Sequence, residues 1–169
     1  VAAMALLTKA LEQRPRDPLA AEPLTRVARS VREPGPLTAL ALAELRAAEE
    51  LGDSGAVADA YEALAAIDLE LRADPSSALI SLEGAASADP RRLPVLRALE
   101  RAHAAAGRIA ELAQIRGRQL DAIDGAGGVG DHDGAALAID RAALLEQLER
   151  PDDELRAAYQ AAAVRAPHT

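Results

Sequence analysis

The sequence predicts an all-α protein built from helical hairpins, and three observations support this. Half of the 169 residues are hydrophobic but only 1% are aromatic, so the apolar content is mainly Ala and Leu. Ala and Leu head the scale of helix propensity, whereas the β-branched and aromatic residues that strands favour are few. Apolar residues also recur with a helical period between stops that contain proline. The chain should therefore consist of antiparallel helices joined by short turns.

Dipeptides that end in proline mark where helices stop. They are Arg14-Pro15, Asp74-Pro75, Asp89-Pro90 and Ala166-Pro167. Proline disfavours the α conformation in the residue before it, and in the first turn of a helix its missing N–H breaks no hydrogen bond. An aspartate before the proline can also cap the helix that follows. The predicted helices are 3–14, 18–33, 37–51, 55–73, 76–88, 91–106, 108–124, 135–149 and 152–165.

Local residue types refine several of these boundaries. Pro34-Gly35-Pro36 is predicted as a turn, Gly52 as a helix end and Ser54 as the N-cap of helix 55–73. In helix 108–124 the apolar period predicts one buried stripe. Its members are Ile109, Leu112, the stem of Arg116, Leu120 and Ile123.

Small and large residues recur in matching places along several of the predicted helices. Helix 76–88 has Ala78, Leu82 and Ala85 and is followed by Pro90. The matching residues elsewhere are Ala3, Leu7, Ala10 and Pro15 at the start, Leu96, Leu99, His103, Gly107 and Leu112 in the middle, and Ala143, Leu155, Tyr159, Ala162 and Pro167 at the end. This pattern resembles the tetratricopeptide repeat, a helical hairpin with small and large residues at fixed positions and a closing proline. Hairpin ends at residues 15, 53, 90, 124 and 167 lie 34 to 43 residues apart, against about 34 in that family.

The resemblance implies one domain over 1–169, a right-handed superhelical solenoid of tetratricopeptide type with about nine helices. Its hairpins would span 18–53, 54–90, 91–124 and 135–167, after a half repeat at 1–15. A HEAT-like solenoid and a plain helical bundle remain the alternatives. Arrays of this family bind peptides or partner helices along a concave groove formed by the first helix of each hairpin.

Carried over residue by residue, the resemblance assigns a set of side chains to that groove. They are Glu22, Thr25, Arg29 and Arg32, then Pro94, Arg97 and Arg101, then Leu137, Asp140, Leu144 and Gln147. The candidate partner-binding residues are Arg29, Arg32, Arg97, Arg101 and Asp140. Arg97 and Arg101 lie one helical turn apart and can both face a carboxylate or phosphate, although a solvated helix face explains them equally well. Some family members clamp C-terminal carboxylates with Lys and Asn, but this chain has no Asn and only one Lys, Lys9.

Two motifs are weak indications of chemistry. The run 125–130, Gly-Ala-Gly-Gly-Val-Gly, matches the dinucleotide pattern GxGxxG, but it follows a helix rather than a strand, so a flexible loop is the better interpretation. The run 131–134, Asp-His-Asp-Gly, resembles part of a calcium loop, yet Val129 and Asp140 fall where the first and last ligands belong. The three histidines are far apart in sequence, and His103 takes a core position. We therefore expect no catalytic residue, no cofactor and no metal.

Charge and composition exclude several classes of partner. The net charge of −8 and the pI near 4.9 disfavour nucleic acid and anionic lipid. Without cysteine the chain has no disulfide or thiolate metal site, and it fits the cytoplasm, which we favour, and the periplasm alike. The longest uncharged apolar run, 37–43, is far shorter than the roughly 18 residues of a membrane span. The start at Val1 suggests a fragment of a larger protein, and the Ala/Arg-rich composition suggests a GC-rich bacterial genome.

The repeat favours a protein–protein interaction or scaffolding module that binds a peptide or partner segment in its groove, because solenoids present extended surfaces. The alternative is a helical spacer within a larger multidomain chain, without a ligand of its own. The unpaired first helix and the lack of aromatic interface anchors favour that alternative. An uncovered end of the stack would also allow self-association. No convergent polar site is evident in the sequence, so an enzyme is not expected.

Overall fold

A computed structural model describes residues 2–14, 17–125 and 132–165, which form nine α-helices and no strand. The helices are α1 (Ala2–Gln13), α2 (Pro18–Ser30), α3 (Pro34–Leu51), α4 (Ser54–Ile67), α5 (Pro75–Ala88), α6 (Leu93–Ala105), α7 (Ile109–Gly125), α8 (His132–Gln147) and α9 (Asp152–Arg165). A π-helical turn, Asp68–Arg72, continues α4. The all-α prediction and its helix number are thus confirmed within the described residues.

The chain divides into two compact units, Val1–Asp89 and Pro90–Thr169. Within the first unit α1 to α5 pack in chain order, and α1 also touches α3. Within the second unit α6 to α9 pack in chain order. This packing of sequential neighbours is consistent with helical hairpins.

Among the described residues, aspartate side chains cap the N-termini of three helices. Asp17 Oδ1 accepts a hydrogen bond from the amide of Leu19 at 3.0 Å, and Asp53 Oδ1 accepts one from Ala56 at 3.0 Å. Asp74 was predicted to cap the helix after it, and its Oδ1 accepts from the amides of Ser76 and Ser77, each at 3.1 Å. These bonds satisfy amides that have no partner inside the helix.

Three predicted boundary details are wrong. Asp53, not Ser54, is the N-cap of α4, because Gly52 closes α3 at φ 67° and Asp53 is then the first residue with extended backbone. Residues 34–36 form the first turn of α3 rather than a separate turn, since prolines are tolerated where the helix amides lack partners. Asp89 does not cap α6, which begins after Arg92 without a side-chain cap.

Alanine and leucine form the cores of both units. In the first unit one cluster contains Leu11, Ala20 and Leu24, and another contains residues of α2, α3 and α4. In the second unit α7, α8 and α9 contribute two clusters of the same kind. The predicted packing residues that prove buried are Ala78, Leu82, Ala85, Leu96, Leu99, His103 and Ala162.

One predicted core position in α1 and one in α8 are off by one residue. Ala10 is exposed and Leu11 is buried, and Ala143 is exposed while Ala142 is fully buried. In α8 the pair Ala142-Ala143 causes this error, because neighbouring alanines have the same size and hydrophobicity and do not show which of them faces the core. Tyr159 is 45% exposed rather than packed, and its hydroxyl donates a hydrogen bond to Glu146 at 2.9 Å.

The predicted single stripe of helix 108–124 is also wrong. The structure buries Ala113, Ile115, Gln119, Leu120 and Ala122, so of the predicted stripe only Leu120 is fully buried. These residues lie on two sides of α7 because the helix packs between α6 and α8. A helix with two neighbours buries two stripes, and an analysis that assumes one buried face misses the second.

Gly84 allows α4 and α5 to approach closely. A Cβ atom at residue 84 would lie 2.8 Å from Cδ1 and Cε1 of the Tyr61 ring. Carbon atoms in contact prefer separations of about 3.5–4.0 Å, so any larger residue here would displace the ring.

We expect Gly84→Ala to lower the free energy of unfolding by about 1–2 kcal/mol, because overpacking outweighs the gain in helix propensity. Urea denaturation followed by circular dichroism measures the change. The control is Gly55→Ala in the first turn of α4, where the new Cβ would lie 3.5 Å from Asp53 Oδ1. That variant should be as stable as wild type or more stable. Equal stability of Gly84→Ala and wild type would contradict the close α4–α5 contact.

The cap of α5 makes stability depend on pH. Hydrogen bonds from the Ser77 hydroxyl and from the Ser77 and Ser76 amides lower the pKa of Asp74 below its ordinary 3.8. The stabilisation is therefore complete above the unfolded-state pKa and is lost as the pH falls through the lower folded-state pKa.

We expect Asp74→Asn, which keeps the capping acceptor but does not titrate, to be less stable than wild type at neutral pH. The difference between their melting temperatures should shrink below about pH 4 as the wild-type carboxylate becomes protonated. Thermal unfolding of both proteins between about pH 7 and pH 2.5 measures it. A difference that stays constant over this range would show that the charge of Asp74 does not contribute.

Candidate functional site

A cleft of about 490 Å³ opens between α2, α3 and α4 in the first unit. Its apolar floor comes from α3 and α4, and its polar rim comes mainly from α2. The floor residues are Leu37, Leu40, Ala41, Ala63 and Ile67. Ala21, Glu22, Thr25, Arg26, Arg29 and Glu44 complete the lining.

The period of α2 explains why its polar residues line this cleft. Ala20, Leu24 and Ala28 recur every four residues and are buried against the neighbouring helices. Glu22, Arg26 and Arg29 recur at spacings of four and three residues, so they form a second stripe on an adjacent face. Alanine and leucine therefore pack α2 against its neighbours, and its charged side chains lie beside the apolar floor.

The charges along this wall are arranged from acidic to basic. Glu22 lies at the N-terminal end of the cleft wall and Arg29 at its C-terminal end, seven residues or about 10 Å further along the helix. Arg29 Nη1 lies 3.7 Å from Glu70 Oε2, and both side chains are about half exposed, so this ion pair is weak. Glu22 and Arg26 are exposed and form no ion pair with another described residue. They remain available for a ligand.

The π-helical turn closes one end of this region. Arg32, in the left-handed conformation at φ 55°, donates from Nη2 to the Glu70 carbonyl oxygen at 3.2 Å. Asp68 is buried, and its Oδ1 accepts from Arg72 at 2.7 Å, while Arg72 also donates to Thr38 Oγ1 at 2.8 Å. Isolated π-helical turns frequently occur at functional sites. Here the turn holds the end of α4 against α2 and α3.

Of the groove residues predicted in helix 18–33, Glu22, Thr25 and Arg29 line the cleft. Arg32 follows the end of α2 and lies outside the cleft. Arg97 and Arg101 belong to the second unit, where both are exposed on α6 and form no ion pair with a described residue. The structure thus brings Arg29 and Arg32 together at Glu70, and it places Arg97 and Arg101 on one exposed face.

The predicted groove residues of α8 have different surroundings. Leu137 and Leu144 are partly buried and pack against the core clusters of the second unit. Asp140 is 60% exposed and lies 3.5 Å from Arg116, while Gln147 is exposed. Arg116 was expected to contribute only its stem, but its guanidinium also lies 3.0 Å from Glu100. This residue therefore links α6, α7 and α8 through charge.

The motifs with possible chemistry fall largely outside the described residues. Of the glycine-rich run, Gly125 ends α7, and residues 126–131 are not described. His132 begins α8, so this helix starts three residues earlier than predicted. Gly134, which was predicted to lie in a loop, is a buried helical residue. Within the described ranges no three histidine or acidic side chains could together hold a metal ion. No helix there is long and apolar enough to cross a membrane.

Sequence analysis missed most of the cleft, since only Glu22, Thr25 and Arg29 of its eleven described lining residues were predicted. Arg26 could have been found, because it shares the spacing of Glu22 and Arg29. Leu40, Glu44, Ala63 and Ile67 lie on α3 and α4, and only the packing of the three helices brings them to the same cleft.

Comparisons with protein-family models, with curated proteins and with solved structures found no match for this chain.

We expect the two acidic partners of Arg116 to differ in their effect on stability. Glu100 accepts from Arg116 Nε and from Gln119 Nε2, each at 3.0 Å, and Gln119 is only 3% exposed. Glu100→Ala would leave both donors without this acceptor and should cost about 1–3 kcal/mol of unfolding free energy. Asp140→Ala should change it by less than about 0.5 kcal/mol. Chemical denaturation of both variants measures this, and equal effects would contradict the difference in burial.

Proposed function

We propose that this protein is an interaction module that binds a segment of a partner protein in the cleft between α2, α3 and α4. The observation that supports it is the pairing of an apolar floor with a charged rim in one open cleft of about 490 Å³. Specific binding surfaces combine a desolvated apolar centre with polar groups around it. A helical spacer without a ligand is the alternative, and it does not require such a cleft.

The charge order on the rim indicates which segment fits. The floor accepts an apolar side chain, Glu22 favours a basic residue at one end, and Arg26 and Arg29 favour an acidic residue at the other. Their span of about 10 Å corresponds to about three residues of extended chain. We therefore infer a partner segment in which an apolar residue lies between a basic and an acidic one. The charge order would also set its direction in the cleft.

The tetratricopeptide resemblance supports a more specific form of the same proposal, in which the cleft is part of the groove of a repeat array. The first unit packs its helices in chain order, and three of the four groove residues assigned to α2 line the cleft. In a tetratricopeptide-like array α2 would be the first helix of its hairpin and would face the concave groove. The superhelical arrangement of the hairpins and membership of that family remain part of this proposal.

A peptide library displayed on phage tests the proposal directly. We expect selected peptides to carry an apolar residue between a basic and an acidic residue, always in the same order. Arg26→Glu/Arg29→Glu should weaken their binding at least tenfold, because it reverses the charges that receive the acidic residue. Isothermal titration calorimetry with synthetic peptides measures the affinities.

Two controls locate the binding. Arg46→Glu/Arg156→Glu changes the net charge by the same amount at exposed residues outside the cleft and should leave affinity unchanged. Because the chain lacks cysteine, Thr25→Cys can carry a single photo-crosslinker inside the cleft, and Gln160→Cys can carry one on α9. Peptide should crosslink at residue 25 only. If no peptide is enriched, or if the Arg26→Glu/Arg29→Glu variant binds peptides with the wild-type affinity, the spacer alternative replaces this proposal.

A further inference from the structure

The acidic residue Glu70 pairs with one of the two arginines on the rim of the cleft. Arg29 lines the cleft, whereas Glu70 belongs to the π-helical turn and lies outside the lining. Arg29 Nη1 and Glu70 Oε2 are 3.7 Å apart, which is close enough for an ion pair but too long for a hydrogen bond. Among the described residues no other acidic side chain pairs with Arg29. Part of the positive charge on the rim is therefore already neutralised within the protein.

The backbone of Glu70 is fixed beside the end of α2. Arg32 donates from Nη2 to the Glu70 carbonyl oxygen at 3.2 Å. Two residues further along the turn, Arg72 binds the buried Asp68 carboxylate at 2.7 Å and the Thr38 hydroxyl of α3 at 2.8 Å. A group that is tethered near a site competes for it at a high effective concentration. The turn thus keeps the Glu70 carboxylate within reach of the rim arginine.

The contact between Arg29 and Glu70 is nevertheless easy to break. Both side chains are about half exposed, and exposed ion pairs contribute little because water screens them and both side chains lose freedom. A carboxylate of a ligand could approach Arg29 more closely, since charge-assisted hydrogen bonds have donor–acceptor distances of about 2.7–2.9 Å. The pair can therefore open when an acidic residue enters the cleft.

The neighbouring arginine of the rim has no such competitor. Arg26 is exposed, lines the cleft and forms no ion pair with another described residue. It lies three residues before Arg29, so the two side chains share one face of α2. An incoming carboxylate can bind Arg26 directly, but it must displace Glu70 to bind Arg29.

We infer that Glu70 is a specificity-determining residue of the cleft, whose carboxylate competes with the acidic residue of a partner segment for Arg29. This inference rests on the function proposed above. The competition reduces what a negative charge alone gains at the rim. A segment must therefore also place its apolar residue on the floor to bind tightly, and the cleft discriminates against acidic chains that lack one.

Isothermal titration calorimetry of Glu70→Gln tests this inference with two synthetic peptides. The first is the tightest-binding peptide from the phage selection, and the second is the same peptide with its acidic residue changed to the corresponding amide. We expect Glu70→Gln to bind the first peptide about two- to fivefold more tightly than wild type, because no exposed ion pair has to be broken. Both proteins should bind the second peptide with equal affinity.

Two further variants separate competition from a general effect of charge. Glu49→Gln removes the same charge from an exposed residue of α3 outside the cleft and should leave both affinities unchanged. In an Arg29→Gln protein, the additional change Glu70→Gln should tighten binding less than it does in wild type, because the arginine for which Glu70 competes is absent.

The inference is overturned if Glu70→Gln binds the acidic peptide with wild-type or lower affinity. An equal gain with both peptides, or with and without Arg29, overturns it too. In each of these cases peptides still bind in the cleft, so the proposed function stands. If phage selection on wild type and on Glu70→Gln enriches no peptide, the proposed function fails and this inference fails with it.

Discussion

Close contact between neighbouring helices through alanine is the interaction on which the rest of this structure depends. Alanine is the most frequent residue in the described core, and the largest fully buried side chains are Leu24, Leu96, Leu99 and Val95. Small side chains bury little apolar area each, so a helix gains stability only when its backbone approaches its neighbours closely. Gly84 beneath the Tyr61 ring shows the extreme of this tendency.

The cleft of the first unit follows from the same composition. Ala41 and Ala63 line it from α3 and α4, and their short side chains leave space that leucines would fill. Opposite them, α2 presents Glu22, Arg26 and Arg29, which stay near solvent because desolvating a charge is costly. The alanines are therefore too small to fill the space between the helices, and the charged side chains of α2 do not enter it. An open site with a charged rim is the result.

Charged side chains also stabilise both units, because they connect helices whose apolar contacts are limited. In the first unit Arg29 and Arg32 meet at Glu70 of the π-helical turn, and Arg72 joins Asp68 to Thr38. In the second unit Arg116 reaches Glu100 and Asp140 from α7. Arginine suits this role because its stem packs on apolar surface while its guanidinium binds several acceptors. Arg141 departs from this pattern, because its Nε has no acceptor.

The sequence by itself determined the helical class, the number of helices in the described residues and most of their ends. These features depend on local chemistry: alanine and leucine favour helix, proline stops it, and Asp74 caps it through its own neighbours. Tertiary structure alone decided which alanine of each run faces the core, as with Ala142 rather than Ala143. It also decided that α7 buries two faces and that α3 and α4 complete the cleft. Neighbouring alanines are chemically identical, so only contact with a second helix distinguishes the buried one from the exposed one.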